Sequence, residues 1–192
     1  MDLGLTGKKA LITGATKGIG RATAETLLAE GASVAICART AEGVDAAVAE
    51  LSQLGTVVGS VVDAADSEAL VAWVNSSAEQ LGGIDIYVHN TSGKPARSTE
   101  GWINNFNIDL MSLIYGVGAA SAALAEGGGT LISLGTTATA EHFASGSGSY
   151  SAFKSAVTNW TLGQAQVLGA KGIRCNVVSP GPIWVEGGDW NR

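Results

Sequence analysis

Tyr150 and Lys154 are four residues apart in a segment whose pattern predicts a helix over residues 150–168. That spacing puts the two side chains on one face of a helix. A free tyrosine is a poor base at pH 7, because its pKa is about 10. An ammonium about 5 Å away stabilises a phenolate by about 3 kcal/mol at an effective dielectric constant of about 20. The pair predicts a group that exchanges a proton with a substrate oxygen; an ordinary exposed helix pair is the alternative.

A glycine-rich turn offers a place for an anionic cofactor. The segment Thr13-Gly-Ala-Thr-Lys-Gly-Ile-Gly20 joins an apolar run to a predicted helix. Glycines let a pyrophosphate approach the backbone, and the helix N-terminus supplies amide donors and partial positive charge. The turn therefore predicts a dinucleotide site, with a tight turn that binds nothing as the alternative. A P-loop is excluded, because no Gly-Lys-Ser/Thr follows.

The residues after the second predicted strand indicate which nicotinamide cofactor is bound. Sites that prefer NAD usually carry an acidic side chain there, which accepts hydrogen bonds from the ribose hydroxyls. This chain has Ala38 followed by Arg39. A guanidinium can bind a 2′-phosphate through charge-assisted hydrogen bonds. The sequence predicts NADP(H) as the preferred cofactor, with NAD(H) possible and a plain surface charge as the alternative for Arg39.

The elements that must position these side chains alternate between strand and helix. Apolar runs predict strands at residues 9–13, 34–37, 57–62, 84–88, 130–134 and 173–178. Helices are predicted at residues 19–30, 44–54, 68–81, 102–124 and 150–168. The strands lack polar alternation, so both sheet faces should be covered. The sequence predicts an α/β fold of one domain over residues 1–192: a doubly wound parallel sheet of the Rossmann type, in three layers.

Charge and composition exclude several classes of protein. A net charge of −6 argues against a nucleic-acid partner, which needs a basic face. Residues 110–125 carry no charge, but 16 residues are too few for a membrane span. A buried helix is expected there, and no membrane partner. Cys37 and Cys175 lie in separate apolar runs without metal-ligand spacing. They predict two buried free thiols, no metal site and a reducing, cytoplasmic setting.

Five motifs in chain order resemble those of the short-chain dehydrogenase/reductase family, which consists of single-domain nicotinamide enzymes. The glycine turn has the family's GxxxGxG spacing. His89-Asn-Thr-Ser-Gly93 is similar to its Asn-Asn-Ala-Gly, and Tyr150-Ser-Ala-Phe-Lys154 matches its Tyr-x-x-x-Lys. Ile173-Arg-Cys-Asn176 is similar to its Ile-Arg-Val-Asn, and Pro180-Gly181 matches the Pro-Gly after the sixth strand. The N-terminal half most resembles 3-oxoacyl reductase-type members.

This resemblance implies a set of cofactor-binding residues in the glycine turn and in the loops that follow the strands. Lys17 faces the 2′-phosphate in members that prefer NADP, and Lys154 contacts the ribose hydroxyls. The implied set is Gly14, Thr16, Lys17, Gly18, Ile19, Gly20, Arg39, Asp63, Asn90, Tyr150, Lys154, Pro180, Gly181 and Ile183.

Two candidate catalytic positions depart from the family's usual residues. The hydroxyl that holds the substrate carbonyl is usually a serine just past the fifth strand; Thr136 fits that place best, with Thr137 second and a simple threonine turn as the alternative. An asparagine seven residues after a helix tryptophan usually helps to hold a water that feeds protons toward the lysine. Here Asp109 follows Trp102 at that distance. Asp109 either pairs with Lys154 through water or weakens the relay, and Asp109→Asn is expected to preserve or raise activity.

The resemblance and these residues imply an NADP(H)-dependent oxidoreductase that interconverts a carbonyl and a secondary alcohol by hydride transfer. Tyr150 is the expected acid/base, Lys154 tunes it and Thr136 orients the carbonyl of a small-molecule substrate. Ser92, Asp109 and Thr136 stand where other residues are commoner. They leave open a nicotinamide-nucleotide-binding scaffold or redox sensor with little turnover.

Family members are commonly homodimers or homotetramers. They also continue beyond the Pro-Gly into a substrate lid and a last strand, which this 192-residue chain is expected to lack. Trp184 and Trp190 either line an apolar pocket or anchor a loop. His89 and His142 are expected to be structural or surface residues.

Overall fold

Six parallel strands form one sheet in the computed structural model, which describes residues 3–141 and 148–184. Every pair of neighbouring strands is parallel, and the strand order is β3-β2-β1-β4-β5-β6. The strands are β1 (Lys9–Thr13), β2 (Ser33–Ala38), β3 (Val57–Val61), β4 (Ile86–His89), β5 (Thr130–Leu134) and β6 (Arg174–Val178). The order reverses between β1 and β4. A crevice therefore opens beyond the carboxyl ends of these two strands.

Helices connect the strands and cover both faces of the sheet. They are α1 (Gly18–Ala29), α2 (Ala41–Leu51), α3 (Ser67–Leu81), α4 (Thr99–Asn105), α5 (Ser112–Gly127) and α6 (Ser149–Gly169). A π-helical turn, Phe106–Met111, joins α4 to α5 without a break. A short 3₁₀ turn, Thr137–Thr139, follows β5. The helix predicted over residues 102–124 is therefore longer than expected and contains one irregular turn.

Local hydrogen bonds explain where the helices begin and end. The Asp66 carboxylate accepts from the amides of Glu68 and Ala69, both at 3.1 Å, and so caps α3. The Ser98 hydroxyl accepts from the Gly101 amide at 3.1 Å and caps α4. Such caps satisfy the amides that have no partner in the first turn. They place the starts of α3 and α4 earlier than the apolar pattern predicts.

The core consists of two apolar layers, one on each face of the sheet. Successive residues of β1 point to opposite faces: Leu11 packs in one layer, and Ala10 and Ile12 pack in the other. The layer under α3, α5 and α6 includes Leu70, Trp73, Tyr87, Leu113, Leu131 and Val157. The layer under α1 and α2 includes Leu28, Val34, Ile36, Ala47 and Leu51. The predicted doubly wound, three-layered fold is confirmed, and the free Cys37 and Cys175 are buried as expected.

The long apolar helix belongs to this core. By length and composition alone, residues 99–127 would be able to cross a membrane. Four α5 side chains nevertheless lie in the layer on the sheet, namely Leu113, Val117, Ala120 and Leu124. Burial within the protein accounts for their apolar character.

The contact between α5 and β4 generates a stability prediction. Gly116 is buried, and the Tyr87 hydroxyl occupies the place where a Cβ would stand. Gly116→Ala should lower the free energy of unfolding by about 1–3 kcal/mol, because an added methyl overpacks the core. Urea denaturation measures the change.

Gly118 on the same helix provides the matched control. It is exposed, and no described atom outside its own helix lies within 4 Å of its Cβ position. Gly118→Ala should raise the unfolding free energy by up to about 1 kcal/mol, since alanine is the better helix former. Equal effects of the two substitutions would contradict the packing of α5 on Tyr87.

Candidate active site

A cavity of about 630 Å³ opens in the crevice beyond β1, β2 and β4. Six residues of the implied cofactor set line it: Gly14, Thr16, Lys17, Arg39, Asp63 and Asn90. The cavity also has lining residues that sequence reasoning missed, among them Arg21, Thr40, Gly43, Ala47, Glu50, Thr91 and Ile108. Gly43, Ala47 and Glu50 follow helical spacing on α2. That spacing was the available signal that one face of α2 borders the crevice.

Asn90 holds the glycine turn in place. Its side-chain amide donates to the carbonyls of Thr13 and Gly14, both at 2.9 Å, and its backbone amide donates to Thr13 Oγ1 at 3.0 Å. Gly20 sits against the same side-chain amide, which leaves no room for a Cβ. Asn90 therefore fixes the turn that leads into α1, in addition to lining the cavity.

Two exposed cations, Lys17 and Arg39, line the same cavity. A third cation, Arg21, is paired with Glu25 at 2.9 Å and with Glu50 at 2.8 Å. The positive charge of Arg21 thus compensates the negative charge of Glu50, which also lines the cavity. Lys17 in the glycine turn and Arg39 after β2 thus border one cavity, and Arg39 lies near the place where an NAD-binding acid would follow β2.

The remaining members of the implied cofactor set lie outside the lining of this cavity. Gly18, Ile19 and Gly20 form the first residues of α1, and Ile19 is exposed. Pro180 accepts a hydrogen bond from the Thr137 amide at 3.2 Å, which places the Pro180-Gly181 segment beside the 3₁₀ turn. Ile183 and Trp184 are exposed. His142 and Trp190 fall outside the described residues.

Tyr150 and Lys154 lie in the first turns of α6, as the sequence predicts. Tyr150 is half-buried, whereas Lys154 is 2% exposed. The Lys154 ammonium donates to the Leu134 carbonyl at 2.7 Å and lies 3.5 Å from a carboxylate oxygen of Asp109. Burial lowers the pKa of Lys154, and the Asp109 carboxylate opposes that shift. Lys154 is therefore a buried amine between the end of β5 and the π-helical turn.

Thr136 follows β5 and is buried beside this site. Its hydroxyl oxygen accepts from the Ala138 amide at 3.3 Å and so caps the 3₁₀ turn. Accepting that bond uses a lone pair of the oxygen and not its proton. Thr136 lies two residues after Leu134, whose carbonyl binds Lys154. The threonine-turn interpretation is thus correct for the backbone, and it is compatible with a hydroxyl that donates to a ligand.

Asp109 is fully buried in the π-helical turn and contacts Lys154 directly. Oδ1 accepts from the Ser92 hydroxyl at 2.7 Å, and Oδ2 accepts from the Gly93 amide at 3.2 Å. Burial raises the pKa of Asp109, while the charge of Lys154 and these hydrogen bonds act to lower it. From the sequence we predicted that Asp109 either contacts Lys154 through water or weakens the proton relay. The structure has a direct Asp109–Lys154 ion pair in place of the contact through water.

His89 is buried in the same region, and its Nε2 lies 2.7 Å from the Ser112 hydroxyl. Burial, with a smaller contribution from the charge of Lys154, lowers its pKa to about 3. His89 is therefore neutral at physiological pH, which agrees with the structural role expected from the sequence.

Sequence reasoning missed two side chains that fix the loop after β4. The Ser149 hydroxyl accepts from the Ala96 amide and donates to the Ala96 carbonyl, both at 3.0 Å. The Asn105 side-chain amide donates to the Lys94 carbonyl at 3.1 Å. Both side chains are buried. No spacing rule marks such contacts, because their partners are backbone groups of a loop.

Comparisons with known proteins match this sequence and fold to one family. The model of the family described as short chain dehydrogenase matches residues 8–188. The chain is 37% identical to the isoepoxydon dehydrogenase of Penicillium expansum over 196 residues, which cover 99% of this chain and 76% of that protein.

Solved structures show the same fold. A short-chain dehydrogenase from Burkholderia cenocepacia, in complex with NADP, has a TM-score of 0.87 and 35% identity, covering 92% of this chain and 75% of that one. A 7α-hydroxysteroid dehydrogenase, in complex with NADH and 7-oxo glycochenodeoxycholic acid, has a TM-score of 0.88 and 27% identity, with coverage of 95% and 74%.

The chain therefore belongs to the short-chain dehydrogenase/reductase family, which is a family of oxidoreductase enzymes. The resemblance and the enzyme class inferred from the sequence are confirmed. The chain spans about three quarters of the length of these relatives. The family uses NAD(P), and its solved members include complexes with either cofactor.

The Ser149 contacts generate the second stability prediction. Ser149→Ala removes two of the three hydrogen bonds to Ala96 and leaves the Ala96 amide without its hydroxyl partner. We expect the free energy of unfolding to fall by about 1–3 kcal/mol, because two partly buried hydrogen bonds are lost and each contributes about 0.5–1.5 kcal/mol. Ser155→Ala is the control, because that exposed hydroxyl bonds only to its own helix. A Ser149→Ala protein as stable as the control would show that the loop is held by other contacts.

Proposed function

We propose that this protein is an NADP(H)-dependent oxidoreductase that interconverts a carbonyl and a secondary alcohol, with Tyr150 as the acid/base. One observation carries the proposal. Lys154 is buried at the end of β5, one helical turn from Tyr150, and faces an acceptor on each of two neighbouring elements. A buried ammonium beside a tyrosine stabilises a phenolate more strongly than it would in water. Family membership supplies the class of reaction.

The cavity residues fit a dinucleotide phosphate. Amides at the start of α1 and the turn at Gly14 suit a pyrophosphate, and Lys17 and Arg39 suit a 2′-phosphate. Asp63 lines the cavity beyond β3, where it can accept hydrogen bonds from the adenosine end. When bound, the nicotinamide supplies or takes up the hydride at the substrate carbon.

Side chains of this protein donate and accept the proton that is exchanged with the substrate oxygen. In reduction, Tyr150 donates its hydroxyl proton to the carbonyl oxygen, which becomes the alcohol oxygen. The Lys154 ammonium stabilises the phenolate that results. Thr136 donates a hydrogen bond to the same oxygen and orients it, with Thr137 as the second candidate. In oxidation, the phenolate takes the proton back.

Exposed apolar side chains support the predicted homo-oligomer. They lie on α4 and the π-helical turn, which pack against Phe153 of α6, and on α6 itself: Ile103, Phe106, Leu162 and Val167. Exposed apolar groups gathered on neighbouring helices commonly mark protein–protein contacts. The cytoplasmic setting remains a prediction from cysteine usage.

A scaffold or redox sensor with little turnover is the second candidate, favoured by the direct engagement of Lys154 by Asp109. Mixing the protein with NADPH and a panel of ketones and aldehydes separates the two candidates. Loss of NADPH absorbance that depends on a carbonyl supports the enzyme. Tight NADPH binding without turnover of any member supports the sensor.

Tyr150→Phe should lower turnover by about 10²–10⁴-fold, because the proton donor is lost while the ring is kept. NADPH affinity, measured by fluorescence titration, should change little. Tyr115→Phe is the matched control: it removes the same hydroxyl from an exposed position on α5. If Tyr150→Phe keeps more than a tenth of the unsubstituted rate, Tyr150 is not the acid/base.

Arg39→Ala should weaken NADPH binding by about 10–100-fold, since a charged hydrogen bond contributes about 1.5–3 kcal/mol. NADH binding should be nearly unchanged, because NADH lacks the 2′-phosphate. Lys171→Ala, which removes an exposed cation from the turn after α6, is the control. Calorimetry with both cofactors measures the ratio. Equal affinity of the unsubstituted protein for NADPH and NADH would refute the preference.

A further inference from the structure

We propose that Asp109 and Ser92 form one positioning unit that keeps Lys154 a cation and ties it to the loop after β4. The inference rests on the proposed function, because it assigns these two residues a role in preparing the acid/base pair. Neither residue is the one commonly found at its position in the family. The structure puts the two departures in direct contact, with the Ser92 hydroxyl 2.7 Å from Asp109 Oδ1.

The groups that face Asp109 all offer it hydrogen-bond donors. Asp109 Oδ2 faces the Gly93 amide, and Oδ1 faces both the Ser92 hydroxyl and the Lys154 ammonium. An amide N–H and an ammonium can only donate, so both oxygens must accept. An ionised carboxylate meets this requirement. An asparagine cannot, because its NH₂ would point at the Gly93 amide in one orientation and at Lys154 in the other.

Because position 109 faces donors, we now expect Asp109→Asn to lower activity, and not to preserve or raise it as predicted from the sequence. From the sequence alone, asparagine restores the residue commonly found in the family. In this structure it would place two donors against each other in a buried site. Ser92 can adapt, since a hydroxyl both donates and accepts, but the Gly93 amide and the Lys154 ammonium can only donate. The surroundings of position 109 are therefore those of a carboxylate.

The Lys154–Asp109 ion pair is buried. Lys154 is 2% exposed and Asp109 is fully buried, so neither charge is exposed to bulk solvent. Among the described residues, the Lys154 ammonium also donates to the neutral Leu134 carbonyl. Removing one member of a buried ion pair leaves an uncompensated charge, which favours the neutral form of the other. Burial already lowers the pKa of Lys154, and the Asp109 carboxylate raises it.

The other ionisable groups around Lys154 do not replace Asp109. Tyr150 lies on the same helix, and His89 lies on β4, where its pKa of about 3 keeps it neutral. A neutral imidazole offers Lys154 no negative charge, and Tyr150 is the group that the ammonium is proposed to serve. The proposed proton transfer needs a charged Lys154, because only the ammonium stabilises the phenolate. Asp109 thus acts through Lys154 and is a positioning residue, not one that contacts the reacting atoms.

NMR titration of protein labelled at lysine Cε tests the proposal without a substrate. The Lys154 signal is assigned by its loss in Lys154→Met. Lys154 of the unsubstituted protein should stay protonated to alkaline pH, whereas in Asp109→Asn its midpoint should fall by about one pH unit or more, the usual effect of losing an opposite charge within about 4–6 Å. An unchanged midpoint would overturn the proposal.

Two control variants separate charge from packing. Asp45→Asn makes the same chemical change at an exposed position on α2 and should not move the Lys154 midpoint. Ser92→Ala keeps the carboxylate, so the midpoint should stay within about 0.3 pH units of the unsubstituted protein, while the apparent Tm falls because the partly buried hydrogen bond to Asp109 is lost. A Lys154 midpoint as low in Ser92→Ala as in Asp109→Asn would contradict a charge-based role.

A measurement on the unsubstituted protein keeps the proposal testable if Asp109→Asn does not fold. The chemical shift of aspartate Cγ reports ionisation, and the Asp109 signal is assigned by its movement in Ser92→Ala. The proposal requires Asp109 to be ionised at pH 7 and to remain so with NADP⁺ bound. A protonated Asp109 at pH 7 would refute it. These titrations stand apart from turnover, so loss of the Tyr150 assignment would leave their outcome readable.

Discussion

A buried ammonium must have acceptors around it, and the elements that surround Lys154 supply them. Lys154 projects from α6 into the end of the sheet, where the Leu134 carbonyl and the Asp109 carboxylate face it. Desolvating an ammonium without such partners would drive it to the neutral form. The π-helical turn therefore does more than join α4 to α5, since it carries the carboxylate that matches this charge. The loop after β4 is fixed in turn, because its Ser92 and Gly93 donate to the same carboxylate.

The parallel sheet brings this site next to the cofactor cavity. Reversal of the strand order between β1 and β4 opens the crevice, and Asn90 at the end of β4 holds the glycine turn after β1. Ser92 lines the cavity on one side and donates to Asp109 on the other. One short loop thus lines the cavity and contacts Asp109, the ion-pair partner of Lys154. Ser149 and Asn105 hold the rest of that loop through backbone groups.

Much of the fold follows from local sequence, and the exceptions have physical reasons. The bounds of β1 and β5 are as predicted, because each is an apolar run that ends at glycine. The strand predicted at residues 84–88 begins two residues later and ends one residue later, although the Asp85 backbone already bonds to Lys9 and to Thr130. The motifs located Tyr150, Lys154 and the glycine turn. They did not reveal the direct Asp109–Lys154 contact, because it depends on a π-helical turn that has no apolar signature.

A crystal structure of the protein with NADP⁺ tests the central claim most directly, since the claim concerns where the ends of one cofactor lie. The account predicts the 2′-phosphate beside Lys17 and Arg39, and the nicotinamide ribose within hydrogen-bond distance of Lys154. It also predicts that Asp109 still accepts from Ser92 and Gly93 in the complex. A cofactor whose nicotinamide end lies away from Tyr150, or a Lys154 that has left Asp109 for solvent, would contradict it.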